Sequence, residues 1–283
     1  MPIARKKSSM IVATDLIRQW LQRSASAALC LLLTSACSGE PTANSTVPVE
    51  PAPTAEPAAI QRTAVPAIAA VSSAIEAAVA NPARPAADVA PDADRKPAQT
   101  LTFYGVEPGD EVFEFVAGGG YYTELLSRVV GDSGHVTATR VAPERIADGR
   151  LPNVTAADDG DWGLAPNSVD LIFTALNYHD VINLKVERAP LLENMLAALK
   201  PGGIFAVIDH SAESGSGVRD VGTLHRVEES IVVTEVEAAG FELVETTDLL
   251  RNPADARTLA VFDPAIRGKT DCFMLKFRKP PRS

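Results

Sequence analysis

Residues 112–123 read Val-Phe-Glu-Phe-Val-Ala-Gly-Gly-Gly-Tyr-Tyr-Thr, and this stretch decides the fold. Its apolar first half predicts a short strand over 112–116, and residues 123–130 have the apolar spacing of a helix. Between them stand Gly118, Gly119 and Gly120, which lack a Cβ and let the main chain turn tightly beside a ligand. The start of the following helix offers N–H groups and a partial positive charge. The stretch therefore predicts a strand–turn–helix unit with a ligand site at the turn.

The same alternation continues along the chain and predicts an α/β fold. Further strands are predicted at 135–139, 154–157, 169–174, 204–209, 241–246 and 272–277, and further helices at 191–199 and 228–239. Such alternation is typical of a Rossmann-like, mostly parallel sheet with helices on both faces. Few of the last connections can hold a crossover helix, so we expect the C-terminal strand to be antiparallel. In such sheets, ligands bind at the carboxyl ends of the strands.

The N-terminus has the features of a secretory signal. Basic residues precede an apolar run at 25–33, which is shorter than the roughly 20 residues that span a bilayer. The run ends in Leu-Thr-Ser-Ala-Cys at 33–37, which resembles the bacterial lipobox, although a short buried helix with an incidental cysteine is the alternative. The resemblance implies a signal peptide over 1–36 and an acylated Cys37 that anchors the chain in a lipid bilayer. Ser38 after the cysteine resembles lipoproteins sorted to the periplasmic side of the outer membrane, so we expect a location in the cell envelope.

Residues 37–93 are rich in Ala and Pro and contain no aromatic residue. A segment of this composition buries too little apolar surface to offset its ordering entropy. We therefore predict a disordered linker, with at most a short helix near 71–80, and a globular domain over 94–283.

The net charge restricts the partners. It is −10 for the whole chain, and without residues 1–36, which carry +4, it is −14. A protein this acidic repels phosphate backbones, so we expect no nucleic-acid partner.

Two cofactor classes fit the glycine-rich turn in part. A dinucleotide fingerprint, G-x-G-x-x-G, needs a third glycine where this chain has Thr123. A site for S-adenosylmethionine needs an acidic residue followed by glycines, which Glu114, Gly118 and Gly120 supply, although Val116 stands where the first glycine is usual. A turn that binds nothing is the third possibility.

Beyond this turn, the domain resembles a family of predicted class I S-adenosylmethionine-dependent methyltransferases. The resemblance runs from residue 94 to residue 280 and includes Asn177-Tyr178-His179-Asp180, Leu199-Lys200-Pro201-Gly202-Gly203, Asp209-His210 and Leu224-His225-Arg226. It implies that Ala117, Gly118, Gly119 and Gly120 face the methionine part of S-adenosylmethionine, with Glu114 near its amino group and Tyr121 near the sulfonium. Asp158 or Asp159, after the third predicted strand, is the candidate to accept a hydrogen bond from the adenine amino group; an equal alternative for both is a solvated acidic loop with Asp161.

His179 and Asp180 are the candidate catalytic residues because they follow the fourth predicted strand, where class I acceptors meet the methyl group. A base is needed only if the acceptor atom carries a proton, and histidine suits that role because its pKa is near neutrality. Asp180 would orient His179 or receive the proton; the alternative is a histidine that caps a loop. His210 and His225 also fall near strand ends, but no short ligand spacing connects the histidines, so we predict no metal site.

The predicted function is therefore S-adenosylmethionine-dependent methylation of a small molecule or an envelope component. Two alternatives remain open. Because the methyl donor is made in the cytoplasm, an envelope lipoprotein could keep the fold without catalysis. Arg140, which stands where most class I enzymes have a ribose-binding acid, could instead accept the 2′-phosphate of NADP in an oxidoreductase.

Overall fold

Seven strands form one sheet in the computed structural model, which describes residues 70–281. They are β1 (Glu111–Glu114), β2 (His135–Thr139), β3 (Val154–Ala157), β4 (Val169–Ala175), β5 (Leu199–His210), β6 (Glu242–Thr247) and β7 (Cys272–Arg278). The order across the sheet is β3-β2-β1-β4-β5-β7-β6. Strands β1 to β5 pair in parallel, and β7 is antiparallel to both β5 and β6. The predicted fold class is confirmed.

The helices lie before the sheet or between its strands. They are α1 (Ser73–Val79), α2 (Ala86–Val89), α3 (Asp92–Arg95), α4 (Pro97–Tyr104), α5 (Tyr121–Val130), α6 (Pro143–Ile146), α7 (Tyr178–Asn183), α8 (Arg188–Ala198) and α9 (Glu229–Ala238). None of the helices within 70–281 is long and apolar enough to cross a membrane. Helix α5 shows why the sequence folds as predicted: Leu125, Leu126, Val129 and Val130 share one face and are buried.

Strand β5 begins at Leu199 rather than at residue 204, because Leu199 already pairs with Val169 of β4. Gly203 explains why glycine occurs inside this strand. A Cβ there would lie 2.9 Å from the carbonyl oxygen of Lys200 and 3.0 Å from that of Asp170. Gly203 therefore permits a close approach of main chains, and residues 199–203 belong to the strand and not to a connecting loop.

The predicted linker boundary at residue 94 is wrong, because residues 73–95 contain three helices. The Ser72 hydroxyl caps α1 by accepting a hydrogen bond from the N–H of Ile75. Ile75 is 2% exposed and belongs to the main hydrophobic core. Alanine is the best helix former, so an Ala-rich stretch with one large apolar anchor can dock where composition alone suggests disorder. The predicted signal peptide, Cys37 and the first part of the linker lie outside the described residues.

Three strands leave the sheet through unusual main-chain conformations at their carboxyl ends. Val116, Arg140 and Leu176, which follow β1, β2 and β4, have φ values of 60°, 55° and 62°. This left-handed region is uncommon for any residue with a Cβ and exceptional for a β-branched one. The sharp bends bring the loops after these neighbouring strands together at one edge of the sheet, where the candidate site lies.

Candidate active site

The glycine-rich turn after β1 is held from the side by the end of β2. The Val116 N–H donates to the Thr139 hydroxyl, and the Ala117 N–H donates to the Thr139 carbonyl, each at 2.9 Å. Val116 occupies the position of the first motif glycine with the left-handed conformation that glycine would adopt most easily. The replacement therefore preserves the shape of the turn at the cost of local strain.

The outer side of this turn is open. Gly118 and Gly119 are exposed, and a Cβ built on either would meet no atom within 4 Å. Among residues 70–281, neither of their N–H groups donates a hydrogen bond to a protein acceptor. Two adjacent N–H groups next to a helix N-terminus form a cradle that suits a carboxylate.

Gly120 differs from its two neighbours because protein covers it. A Cβ at Gly120 would lie 2.7 Å from the side chain of Arg145. The Arg145 guanidinium donates to the carbonyl of Gly119 at 2.6 Å and pairs with Asp88 of α2. Glycine at 120 is favoured by its φ of 75° and by the packing of Arg145, and the open cradle consists of Gly118 and Gly119.

Glu114 ends β1 but points into the protein. It is 4% exposed, and its carboxylate accepts a hydrogen bond from the Thr123 hydroxyl of α5. Burial raises the pKa of the Glu114 carboxyl to about 7, although the Thr123 hydroxyl and the charge of Arg145 lower it. The predicted contact between Glu114 and the amino group of a cofactor stays a prediction.

Tyr121 faces the N-terminal helices, and its predicted place beside the sulfonium stays a prediction. Its hydroxyl donates to Asp92 at 2.7 Å, and the guanidinium of Arg95 lies 4.3 Å from the centre of its ring. The cation that contacts Tyr121 is therefore an arginine of the chain itself. Asp92 falls in the segment predicted to be a linker, so this partner of Tyr121 was not expected from the sequence.

The loop after β3 carries the predicted adenine ligands and an aromatic residue that the sequence analysis missed. Asp158 is exposed, whereas Asp159 forms an ion pair with Arg140 at 2.8 Å. Trp162 packs on Phe113 of β1, with ring centres 4.7 Å apart. Asp158 is thus the carboxylate of this pair that is available to a ligand, and Arg140 already has a carboxylate partner.

His179 lies at the start of α7, against the end of β5. Its Nδ1 lies 2.7 Å from Oδ1 of Asp209, and its N–H donates to Oδ2 at 2.7 Å. His179 is 3% exposed and Asp209 is fully buried. Burial by itself lowers the pKa of His179, but the charge and hydrogen bond of Asp209 and the charge of Asp180 outweigh it and raise the pKa. The predicted catalytic histidine is therefore fixed by a buried carboxylate.

Asp180 and His225 complete a cluster around the outer face of His179. Oδ1 of Asp180 lies 3.5 Å from Nε2 of His179 and 3.5 Å from Nδ1 of His225. We call these three residues the His–Asp–His cluster. His210 lies nearby but outside it, because its Nδ1 bonds to the Thr270 hydroxyl at 2.8 Å. Burial lowers the pKa of His210 to about 4, so this ring is neutral at physiological pH.

Arg226, which follows His225 in the chain, is anchored in the protein interior, and no role was predicted for it from the sequence. Arg226 is fully buried, forms an ion pair with Asp255 at 2.9 Å and donates to the carbonyl of Ser211. A buried arginine needs such partners because an unpaired charge is costly to bury. The only sequence signal for this role is its place in the Leu-His-Arg motif.

Asn177 links the glycine-rich turn to the His–Asp–His cluster. Its side-chain amide donates to the carbonyl of Val116 at 2.9 Å and to that of Ala175 at 2.5 Å. Helix α7, which carries His179 and Asp180, begins at the next residue. The two parts of the candidate site are therefore adjacent and joined by a hydrogen bond. A cavity of about 470 Å³ is lined by Leu192, Glu235 and other residues of α8 and α9, and none of the candidate-site residues described above line it.

Part of the chain is similar to known methyltransferases. Residues 113–207 match the family model described as a methyltransferase domain, which spans β1 to most of β5. The ubiquinone/menaquinone biosynthesis C-methyltransferase UbiE of Shewanella halifaxensis is 29% identical over 136 residues, 44% of this chain and 53% of that protein. The arsenite methyltransferase of Halobacterium salinarum is 28% identical over 117 residues, 38% of this chain and 29% of that protein.

The chain thus spans about half the length of the UbiE protein that it matches. Among solved structures, an S-adenosylmethionine-dependent methyltransferase from Aquifex aeolicus has a TM-score of 0.48 and 22% sequence identity, covering 66% of this chain and 97% of that one. The family match agrees with the predicted methyltransferase class. It gives no support to the NADP-dependent alternative, which the ion pair between Arg140 and Asp159 also disfavours.

Proposed function

We propose that the domain transfers a methyl group from S-adenosylmethionine to a small-molecule acceptor. The observation that carries this proposal is the open main-chain cradle at Gly118 and Gly119, within the segment that matches the methyltransferase model. Bound S-adenosylmethionine supplies a methyl group on a sulfonium sulfur, which keeps the carbon–sulfur electron pair when an acceptor takes the methyl.

The residues of the turn are suited to the amino-acid end of this cofactor. The N–H groups of Gly118 and Gly119 would bind its carboxylate, with support from the partial positive charge at the start of α5. The exposed carboxylate of Asp158 would accept a hydrogen bond from the adenine amino group. The main chain therefore provides the anion-binding groups, and a side chain at the end of β3 provides the base-binding group.

The acceptor side is formed by the residues that Asn177 links to the turn. Asp209 holds Nδ1 of His179, so Nε2 is the ring nitrogen that faces outward, toward Asp180. An acceptor atom that carries a proton must lose it on methylation, and Nε2 of His179 is placed to receive that proton. An acceptor that is already ionised needs only positioning, and then the cluster orients it.

Calorimetry with S-adenosylhomocysteine, the demethylated product, tests the cofactor site. Gly119→Asp is the sharpest variant, because Gly119 has no left-handed φ and open space around its Cβ, so the fold tolerates a side chain. The new carboxylate would repel that of the ligand, and we expect an affinity loss of at least about 100-fold, or about 2.7 kcal/mol. Gly202→Asp is the control: this glycine is exposed and open but lies at the start of β5, at the opposite edge of the sheet. Its φ of 81° makes it the more strained position, so retained binding there shows that an added aspartate alone does not abolish the cofactor site.

The proposal fails if the wild-type chain binds neither S-adenosylhomocysteine nor S-adenosylmethionine, or if Gly119→Asp binds as tightly as Gly202→Asp. Either result would leave a methyltransferase-like fold without its cofactor.

We propose further that Cys37 anchors this activity in the cell envelope. The support is the lipobox-like sequence at 33–37, which lies outside the described residues. Metabolic labelling with palmitate checks it: Cys37→Ser should abolish the label, and Cys30→Ser should leave it. A label that persists in Cys37→Ser would exclude this anchor.

A further inference from the structure

The His–Asp–His cluster has the donor atoms of a metal site. We propose that Nε2 of His179, Oδ1 of Asp180 and Nδ1 of His225 bind one divalent transition-metal ion of the zinc class. The three residues come from α7 and from the loop before α9, and their donor atoms all lie within 4.8 Å of one another. Imidazole nitrogen and carboxylate oxygen are donors that Zn²⁺ and similar ions prefer.

Two of the three distances within the cluster suit one shared ion, and the third, between the two ring nitrogens, is no more than 4.8 Å. Ligands that lie about 2.0–2.1 Å from a tetrahedral ion are about 3.3–3.5 Å from each other. Asp180 Oδ1 is 3.5 Å from each of the two ring nitrogens. This separation is too long for a good hydrogen bond but is the edge length of a metal tetrahedron.

Asp209 fixes the form of His179 that a metal requires. The carboxylate accepts the Nδ1 hydrogen at 2.7 Å, so the lone pair of the neutral ring lies on Nε2, which points at Asp180. A carboxylate behind a histidine is the usual outer partner of a metal-binding imidazole. Asp209 is fully buried and also accepts the main-chain N–H of His179, so the orientation is rigid.

His225 supplies an independent indication. Its Nδ1 is inaccessible to solvent, yet among residues 70–281 it has no hydrogen-bond partner. Buried polar atoms in native proteins are nearly always bonded, so an orphaned nitrogen that faces a carboxylate requires an explanation. The neighbouring Arg226 is anchored by Asp255, and the ring of Phe262 lies 4.9 Å from that of His225. The imidazole is therefore held toward the cluster, and an ion would satisfy its free nitrogen.

Three protein ligands leave at least one position of the ion open. The side chains of Asp180 and His225 are 31% and 28% exposed, so this position can reach solvent. Metal sites with three protein ligands are typical of catalysis, because the open position takes water or substrate. Metal binding can be measured without methyl transfer, but an ion on Nε2 of His179 occupies the lone pair that would otherwise accept a proton. In the metal-bound domain the ion, and not His179, would therefore serve the acceptor atom. Only the further role, an ion that holds an anionic acceptor atom beside the glycine-rich turn, rests on that function.

Titration of the full chain with Zn²⁺ and with Co²⁺, after removal of metal by a chelator, tests the site. We expect one ion per chain and visible Co²⁺ absorption of a four-coordinate site. His225→Ala and Asp180→Asn should each weaken binding by more than the roughly 10- to 100-fold expected for loss of an outer partner. His135→Ala is the matched control, because His135 begins β2 at the opposite edge of the sheet, and it should bind like the wild type.

His210→Asn separates this cluster from a site made by three histidines, and we expect it to retain the ion. Denaturant unfolding of each variant checks that it folds, and His225→Gln replaces His225→Ala if the latter does not. The proposal is overturned if the wild type binds no stoichiometric ion, or if His225→Ala and His135→Ala bind equally. Calorimetry with S-adenosylhomocysteine on the metal-free wild type is the separate readout of the cofactor site.

Discussion

The glycine-rich turn and the His–Asp–His cluster lie at the ends of neighbouring strands but are built in opposite ways. The turn presents main-chain groups from consecutive residues, and its outer side at Gly118 and Gly119 is exposed. The cluster presents side chains from separate segments, and its core of His179 and Asp209 is buried. One region depends on the absence of side chains, and the other depends on buried charges that compensate each other. Substitutions should therefore affect the two regions through different physical terms.

The largest effect is expected from Arg226→Met, beside the cluster. Arg226 and Asp255 form a fully buried ion pair, and removal of the arginine leaves an unpaired buried carboxylate. Breaking such a pair costs about 3–5 kcal/mol in the free energy of unfolding. Denaturant unfolding measures the loss, and Arg219→Met, on an exposed arginine of the same segment, should leave the stability unchanged. Equal stability of the two variants would show that charge compensation does not support this region.

The next largest effect is a pH dependence of stability that is caused by the buried carboxyl of Glu114, at the glycine-rich turn. Burial raises the pKa of Glu114 from 4.5 to about 7, so the folded state favours the protonated form. The stabilising contribution is complete below about pH 4.5 and is lost as the pH rises through 7. The loss approaches about 3 kcal/mol in the free energy of unfolding. Glu114→Gln should remove this dependence; an identical pH dependence of unfolding in wild type and variant would contradict the assignment.

A smaller effect tests the N-terminal helices, which cover one side of the turn. Ile75 of α1 is buried in the core, and Ile75→Ala should cost about 2 kcal/mol in the free energy of unfolding, at the lower end for core truncations because α1 is short. Val89→Ala, at a position that is 49% exposed, is the control and should cost little. If both variants unfold like the wild type, residues 73–95 do not belong to the domain.

The smallest effect has the opposite sign. Val116 is a β-branched residue with a φ of 60°, where an L-residue costs about 1–2 kcal/mol. Val116→Gly should relieve this strain and raise the free energy of unfolding by about 1 kcal/mol, after the entropy of glycine in the unfolded chain is subtracted. Val154→Gly, in the regular strand β3, should lower it instead. A loss of stability at both positions would mean that packing of Val116 outweighs its strain.

The sequence predicts the parts of this molecule that depend on consecutive residues. The spacing of apolar residues predicted the seven strands, and three adjacent glycines predicted the turn. Helix α1 was expected near 71–80, but its docking and helices α2 and α3 were missed, because Ala- and Pro-rich composition lowers the expected burial. Docking depends on a few contacts such as Ile75 in the core and Tyr121 with Asp92. Composition averages over a segment, and such contacts do not affect the average.

The candidate site, too, was only partly predictable from the sequence. Position after the fourth strand was sufficient to single out His179 and Asp180. The buried partner Asp209 and the third member His225 follow them by about 30 and 45 residues. No spacing rule connects residues so far apart, because the sheet and the Arg226–Asp255 pair bring them together. Ligand sets made by tertiary packing are visible only in the structure.

The hydrogen bond from Asn177 to the carbonyl of Val116 has a consequence for communication between ligands. A molecule that moves the main chain at residue 116 also moves the start of α7, and the reverse holds equally. If a ligand at the glycine-rich turn changes the affinity of the His–Asp–His cluster for its ligand by some factor, the second ligand must change the affinity of the first by the same factor. If both proposed ligands bind, this amide connects their sites directly, and the affinity for each should be measured with the other present and absent.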